Sequence, residues 1–329
     1  MRLVRHCGEF KLEHRGCVVA LGNFDGVHLG HQAVILTARA IAEKAGVAHG
    51  VMTFEPHPRT VFHPDQPPFR LTPFRVKSRL IEALGVDLLF QQHFDAGFAG
   101  ITAQQFIDEQ LVQCLGASHV VVGYDYVFGK GRQGTGAFLQ KVGGEKGFGV
   151  TVIPPAIAPS GEVYSSTQVR EYLVGGRPAD AAKLLGHYWE VEGRVEHGDA
   201  RGGKLGFPTA NLRLDEYQRP AAGVYAVRAG IDKGGDTVWH DGVANFGRRP
   251  TFDKTDELLE VHLLGVDENL YGRHLRVALT DYIRPERKFD GIDQLRAQIA
   301  QDIETGRALL AGRKFTAKSG PMVPVSPNT

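Results

Sequence analysis

The periodicity of this chain changes once, near Gly186, and that change decides what the chain can fold into. Before it, short apolar runs alternate with helical patterns. Val18–Gly22, Gly50–Phe54, Leu88–Gln91, His119–Val122 and Val150–Ile153 read as strands. The last two are near-continuously apolar, which suits burial on both faces of a parallel sheet. Helical stretches lie between them at His31–Ala45, Arg75–Leu84 and Thr102–Leu115, the last with Phe106, Ile107 and Leu111 at helical spacing. Such alternation predicts an open, doubly wound α/β domain with a parallel sheet, whose ligands bind beyond the carboxyl ends of the strands. After Gly186 the strand patterns Trp189–Glu196, Val224–Ile231, Val238–Phe246, Leu258–Leu264 and Leu275–Ile283 follow without intervening helices. They predict a small antiparallel β-barrel. One amphipathic helix follows at Gly291–Leu310, with Leu295, Ile299 and Ile303 at helical spacing. The expected division is residues 1–186, residues 187–315 and a Pro- and Ser-bearing tail at 316–329, expected to be disordered.

Composition works by exclusion. The 329 residues are 42% hydrophobic and 23% charged with a net charge of +1, so no general affinity for nucleic acid or a membrane surface is expected. No apolar run approaches the ~18 residues of a membrane span, and no apolar stretch follows the charged N-terminus as in a secretion signal. The three cysteines, Cys7, Cys17 and Cys114, are odd in number and lack metal-type spacing. They predict reduced thiols and a cytoplasmic protein. A monomer or weak homo-oligomer is expected.

Two segments carry chemistry. In Gly22-Asn-Phe-Asp-Gly-Val-His28-Leu-Gly30-His31 the order strand, Gly-rich turn, helix puts both histidines near a helix N-terminus, where free N–H groups and the helix dipole favour a phosphate. Residues three apart share a helix face, so both imidazoles can address one anion. Gly22, Gly26 and Gly30 allow close backbone approach. A capping role, a core role or a two-histidine metal site are the alternatives. In the second segment, glycines at 198, 202, 203 and 206 can offer backbone N–H groups to phosphates, and Thr209 and Asn211 in Gly206-Phe-Pro-Thr-Ala-Asn offer oxygen ligands to a hard cation from one face of a strand. A plain turn explains the same glycines and Pro208.

Two near-motifs fail. Gly129-Lys-Gly131-Arg-Gln-Gly134 fits a dinucleotide fingerprint, but the strand Val150–Ile153 leads into Pro154-Pro155 with no carboxylate for a ribose, so a mobile basic loop is expected. Gly198-Asp-Ala-Arg-Gly-Gly203-Lys204 nearly spells a P-loop, but Leu205 cannot ligate magnesium and Pro208 stops the helix that loop needs.

His28-x-Gly30-His31 resembles the signature of nucleotidylyltransferases, and the fuller string around it resembles the bacterial bifunctional riboflavin kinase/FAD synthetase family. Further matches follow in order: Thr53-Phe-Glu-Pro-His57-Pro, Phe94-Asp-x-x-Phe98-Ala, Val122-Gly-Tyr-Asp125-Tyr-x-Phe-Gly129 and Ser165-Ser-Thr-x-x-Arg170. Beyond Gly186, Gly206-Phe-Pro-Thr-Ala-Asn, Gly223-Val-Tyr, Gly242-Val-Ala-Asn-Phe-Gly247-x-Arg249-Pro-Thr251-Phe, Leu259-Glu260-Val-His262, Tyr271-Gly272, Ile283-Arg284-Pro-Glu and Lys288-Phe-Asp290 resemble its kinase module. The resemblance spans nearly the whole chain.

The resemblance implies an FMN adenylyltransferase domain at residues 1–186 and a riboflavin kinase barrel at 187–315, with riboflavin, FMN and ATP as substrates and Mg²⁺ as cofactor. It implies that His28 and His31 stabilise the adenylyl transition state and that Arg170 holds the leaving phosphates. ATP contacts fall on Gly22, Asn23, Phe24, Gly30, Ser165, Ser166, Thr167, Gly203 and Lys204. Phe54, His57, Asp125 and Arg284 lie on the flavin side, Asn23 and Asp125 also as polar support and magnesium contact. Thr209 and Asn211 bind Mg·ATP, and Glu260 is the general base. Independently, Ser165, Ser166 and Thr167 are ordinary N-cap chemistry, Pro56 and Pro58 can simply stiffen a turn, and Glu260 alternates with Leu259 and Val261 as an exposed strand residue does. The chain departs from the family at Val127, where an arginine is usual; Lys130 and Arg132 follow closely and can replace that charge. The rival readings are a nucleotidylyltransferase for another phosphate, with the barrel as a binding module, and a non-catalytic flavin sensor.

Overall fold

Val18–Leu21 (β2) buries all four residues, and His49–Glu55 (β3) buries all seven, the mark of strands covered on both faces. With Arg2–Val4 (β1), Leu88–His93 (β4), His119–Gly123 (β5) and Gly149–Ile153 (β8) they form a six-stranded sheet in the order β1-β4-β3-β2-β5-β8, every pairing parallel. The order reverses at β2, which puts the topological switch point at the carboxyl ends of β2 and β5, where open sheets of this kind bind ligands. Helices α1 (Leu29–Ala45), α2 (Pro58–Phe62), α3 (Phe74–Ala83), α4 (Ala96–Ala99), α5 (Ala103–Gln105, continued as a π-helix over Phe106–Cys114) and α6 (Gly136–Lys146) intervene. Helix α1 turns Val34, Ile35, Ala38 and Ala42 inward, near-helical spacing on one stripe, and stops at Gly46, which takes the left-handed conformation at φ 68°. A capping box between Thr102 and Gln105 starts α5, which continues with wider, π-type turns to Cys114.

The computed structural model describes residues 1–158, 161–197, 206–233, 236–250 and 255–313. It divides into two compact units: Met1–Pro67 with Lys77–Tyr164, and Pro68–Val76 with the chain from Ser165 onward. The second unit opens with helices α7 (Ser166–Val174) and α8 (Pro178–Leu185). Its strands β9 (Trp189–Arg194), β10 (Ala210–Arg213), β11 (Gly223–Asp232), β12 (Thr237–Pro250), β13 (Thr255–Leu263) and β14 (His274–Arg284) run antiparallel in the order β10-β13-β12-β11-β14-β9. The two edges meet just past β9, where the Glu196 N–H donates to the Asn211 carbonyl at 3.0 Å, so the sheet nearly closes into a barrel. Helix α9 (Ile292–Leu310) follows. Segment 68–76 is built into this unit. Arg70 exchanges backbone hydrogen bonds with Glu216 (3.1 Å) and Gln218 (2.8 Å), and the Trp189 indole N–H donates to the Leu71 carbonyl at 2.8 Å.

Three expectations need amending. Cys7 and Cys114 are not free thiols: they form a disulfide with Cα atoms 5.3 Å apart. Spacing rules could not reveal the pair, because the fold brings a single turn at Cys7–Glu9 to the far end of α5, 107 residues away. Cys17 stays a thiol, and burial pushes its pKa up to about 12. The strand holding Asn211 starts at Ala210, so Thr209 stands just before it rather than alternating within it. Finally, β1 and α8 are among the elements that the reading of the sequence did not give; β1, three residues long, is too short for periodicity to show. The glycine fingerprint at 129–134 forms a basic loop between the short paired strands β6 (Val127–Phe128) and β7 (Gly134–Thr135). The expected tail at 316–329 lies outside the described residues.

Candidate functional site

At the switch point of the first unit's sheet, β2 ends at Leu21 and the chain turns through Gly22–His28 into α1. His28 is the N-cap of α1: its Nδ1 accepts the His31 amide N–H at 3.2 Å. With Nδ1 an acceptor, the neutral ring carries its proton on Nε2. The His28 and His31 rings stack, centroids 3.6 Å apart at 20°, so the two imidazoles form one block at the helix end. That packing needs Gly30, where a Cβ would come within 3.1 Å of the His28 ring and 3.2 Å of Tyr164 Cβ. Gly22 is needed for the same kind of reason: a Cβ there would meet the Phe24 ring at 2.9 Å. Phe24 is buried, and its ring packs edge-on against His31 at 5.3 Å.

Residues at the neighbouring strand ends join this turn through the parallel register. Asn23 and Asp125, both exposed, follow β2 and β5, and His57 follows β3. His57 is buried and caps α2, its Nδ1 accepting the Arg59 N–H at 3.1 Å. Phe54 is also buried, with the rings of Phe94, Phe98 and Phe106 about it at 6.1, 6.1 and 6.5 Å. Phe62, 58% exposed, leans edge-on against Phe94 at 5.7 Å. It is the exposed end of this aromatic cluster and was passed over in the sequence, where only its partners lay in recognisable motifs. Val127 is half-buried.

Ser165, Ser166, Thr167 and Arg170 belong to the second unit. Ser165 is the N-cap of α7, its Oγ accepting the Gln168 N–H at 3.2 Å, with Ser166 and Thr167 in the first turn. Arg170 donates from Nε to the Phe69 carbonyl at 2.8 Å and lies over the Phe69 ring at 5.5 Å.

In the barrel, register assembles a second constellation. Asn211 on β10 faces Glu260 on β13, and Glu260 faces Asn245 on β12. Directly opposed residues of antiparallel strands point to the same side, so the three side chains form a row across three strands. Leu259 and Val261 are fully buried on the other side, which puts half-buried Glu260 on the outward face beside its two amide neighbours. Asn211 is 5% exposed, and its Oδ1 is buried without a hydrogen-bond partner among the described residues. A buried, unpaired carbonyl oxygen is costly, and a hard cation is the ligand that oxygen suits. Asn245 donates from Nδ2 to Glu286 Oε1 at 3.3 Å, and Gly247 makes room for the Glu286 carboxylate. Neither Asn245 nor Glu286 stood out in the sequence as a site residue; pairing of β12 with β13 was the missing signal. Arg284 forms a two-pronged ion pair with Asp302 of α9 at 2.7 and 2.9 Å. Gly203 and Lys204 lie outside the described residues. Among the described residues no group of three or more His, Cys, Asp or Glu could hold a metal ion.

Comparisons with known proteins cover both units. A family model described as FAD synthetase matches residues 10–168, and one described as riboflavin kinase matches residues 185–310. The chain is 43% identical over 308 residues to the bifunctional riboflavin kinase/FMN adenylyltransferase of Escherichia coli (strain K12), spanning 93% of this chain and 97% of that protein. The proteins of the same name from Haemophilus influenzae and Bacillus subtilis are 38% and 40% identical, with 94% and 89% of this chain and 99% and 92% of theirs covered. A solved structure named as a macrolide-efflux protein from Streptococcus pneumoniae has the same fold, with a TM-score of 0.82 at 32% identity over 93% of this chain and 98% of that one. Among the described residues no helix is long and apolar enough to cross a membrane.

Proposed function

Because this chain belongs to the bifunctional riboflavin kinase/FMN adenylyltransferases, we propose how its own residues divide the two reactions. It phosphorylates riboflavin to FMN and adenylylates FMN to FAD, both with ATP. We assign the second reaction to residues 1–186 and the first to residues 187–315.

In adenylyl transfer a phosphate oxygen of FMN attacks the α-phosphorus of ATP, the bond to the β-phosphate oxygen breaks, and pyrophosphate leaves. Charge builds on the α-phosphate as it does so. His28 meets that charge with an Nε2–H, because its Nδ1 is committed to the His31 amide. His31, stacked on it, adds a second imidazole, and the end of α1 adds its dipole. Gly22, Asn23, Phe24 and Gly30 bring backbone close to ATP. Ser165, Ser166 and Thr167 at the start of α7 and the Arg170 guanidinium hold the departing phosphates. Phe54, His57 and Asp125 shape the flavin side, Phe54 and His57 from buried positions and hence through the loop they support.

In the kinase reaction Glu260 takes the proton of the terminal ribityl hydroxyl as its oxygen attacks the γ-phosphorus, and ADP leaves. The observation that carries this assignment is the Asn211–Glu260–Asn245 row, which sets a carboxylate beside a buried amide oxygen with no hydrogen-bond partner among the described residues. Asn211, with Thr209, would hold Mg²⁺; bound there with ATP, the cation neutralises phosphate charge. Gly203 and Lys204 contact ATP phosphates, and Arg284, through its pairing with Asp302, stiffens the flavin side. We further propose a cytoplasmic location, since both reactions consume ATP, and a monomer or weak homo-oligomer.

Chromatography of products after incubation with riboflavin, ATP and magnesium is the test. FMN followed by FAD is expected. His28→Ala should abolish FAD formation and spare FMN formation, and Glu260→Ala should stop riboflavin phosphorylation but not adenylylation of supplied FMN. If either substitution removes both activities from a folded protein, the two-site assignment is wrong.

A further inference from the structure

The turn that carries His28 is strained. Phe24 and Val27 both occupy the left-handed region, at φ 49° and 43°, which a β-branched residue such as valine rarely enters. Such residues persist only where the surroundings over-determine them. Some of the restraint is local: the Gly22 N–H donates to the Met52 carbonyl at 3.2 Å, and Gln32 Nε2 donates to the Val27 carbonyl at 2.9 Å. The rest comes from the core. Thr53 Oγ1 donates to the Asn23 carbonyl at 3.1 Å, and Lys77 Nζ donates both to Thr53 Oγ1 at 3.2 Å and to Glu55 Oε1 at 2.8 Å. Thr53 and Lys77 are fully buried, and Glu55 is 8% exposed.

We propose that Lys77 and Thr53 are positioning residues for adenylyl transfer, acting through the Asn23 carbonyl. An ammonium can only donate, so it occupies a lone pair of the Thr53 hydroxyl. The hydroxyl has one proton, and that proton goes to Asn23. The relay thus has a single sense, fixed by a buried cation whose charge Glu55 balances. Within a planar trans peptide the C=O and the following N–H point in opposite directions. Holding the Asn23 carbonyl toward Thr53 therefore fixes the Phe24 N–H on the opposite side of that peptide, and that N–H has no hydrogen-bond partner among the described residues. The backbone that leads into the His28–His31 block is thus held in one orientation by fully buried side chains. Neither Lys77 nor Thr53 touches the reacting atoms.

This inference rests on assigning adenylyl transfer to the Gly22–His31 turn, so the test includes His28→Ala. Thr53→Val removes the hydroxyl and keeps the shape; Thr53→Ser keeps the hydroxyl. FAD formation from supplied FMN and ATP is measured per folded molecule, with folding read by circular dichroism at the assay temperature. Riboflavin phosphorylation by the same samples serves as the control. Thr53→Val is expected to lower kcat for FAD formation about tenfold, the scale of one hydrogen bond's worth of alignment, with KM for FMN unchanged. Thr53→Ser should restore the rate to within about twofold, and phosphorylation should not move in either. Should Thr53→Val fail to fold, Lys77→Met combined with Glu55→Gln removes the ammonium without stranding a carboxylate, and a fall in kcat of about threefold or more is expected. Unchanged kcat in the folded variants beside an inactive His28→Ala overturns the positioning role. A Thr53→Ser variant as slow as Thr53→Val overturns it too. An active His28→Ala overturns the site assignment itself.

Discussion

In the first unit the histidine site lies within one turn of chain, from Gly22 to His31, and its side chains meet because a strand hands directly to a helix. In the barrel the corresponding residues, Asn211, Asn245 and Glu260, come from three strands and meet only because antiparallel register sets them in a row. The first arrangement is fixed by local geometry and needs glycines where rings and backbone crowd. The second is fixed by pairing, and a slip of one residue would send the row into the core. A site of the first kind is damaged by altering the turn, and a site of the second kind by altering a strand.

Substitutions can break the comparison one site at a time. The largest effect is expected from Glu260→Gln, which keeps shape and removes the base: FMN formation should fall by about 10²–10⁴-fold, with adenylylation of supplied FMN intact. A loss in both reactions in a kinetic assay of the separate steps would mean that the sites are not independent. His28→Ala should lower FAD formation by about 10²–10³-fold, the cost of losing one preorganised donor, and leave phosphorylation alone. Asn211→Ala should raise the magnesium concentration at half-maximal kinase rate by about tenfold and leave the magnesium dependence of FAD formation unmoved; equal shifts would remove Asn211 from the metal.

The smallest effect concerns pH. Burial pushes His49, at the start of β3, below its usual pKa. The unfolded chain binds a proton there that the folded chain resists, so the stability His49 contributes is present above about pH 6.5 and is lost as pH falls below it. The slope is at most about 1.4 kcal/mol per pH unit. Melting curves at pH 7.5 and 5.5 should converge in His49→Gln relative to the unsubstituted chain. No convergence would assign the acid sensitivity elsewhere.

The same contrast explains what could be read in the sequence. Helix α1, strands β2 and β3 and the His28–His31 pair were legible because their signals are local: periodicity, a capping residue and glycines at a turn. Glu260 stood out only through family resemblance, since its alternation with Leu259 and Val261 fits any half-buried strand. Asn245 and Glu286 were invisible as site residues because cross-strand neighbours do not appear in spacing. Lys77 was hidden for a related reason. Within the pattern of α3 it is an ordinary surface lysine, and only the packing of that helix makes it fully buried. The disulfide between Cys7 and Cys114 joins positions with no relation in sequence at all.

The short stretch Pro68–Val76 has a genetic consequence. It leaves the first unit, supplies backbone partners to Glu216 and Gln218 and an acceptor to the Trp189 indole, then returns. No single cut can separate the two enzymes cleanly. A fragment that begins at residue 187 abandons three hydrogen-bonding groups, the buried Trp189 indole among them, and a fragment that stops at 186 carries an orphaned clasp. Recombination with a single crossover between such genes would hand on a barrel fitted to another protein's clasp, so residues 68–76 and the barrel are expected to be inherited together although more than a hundred codons lie between them.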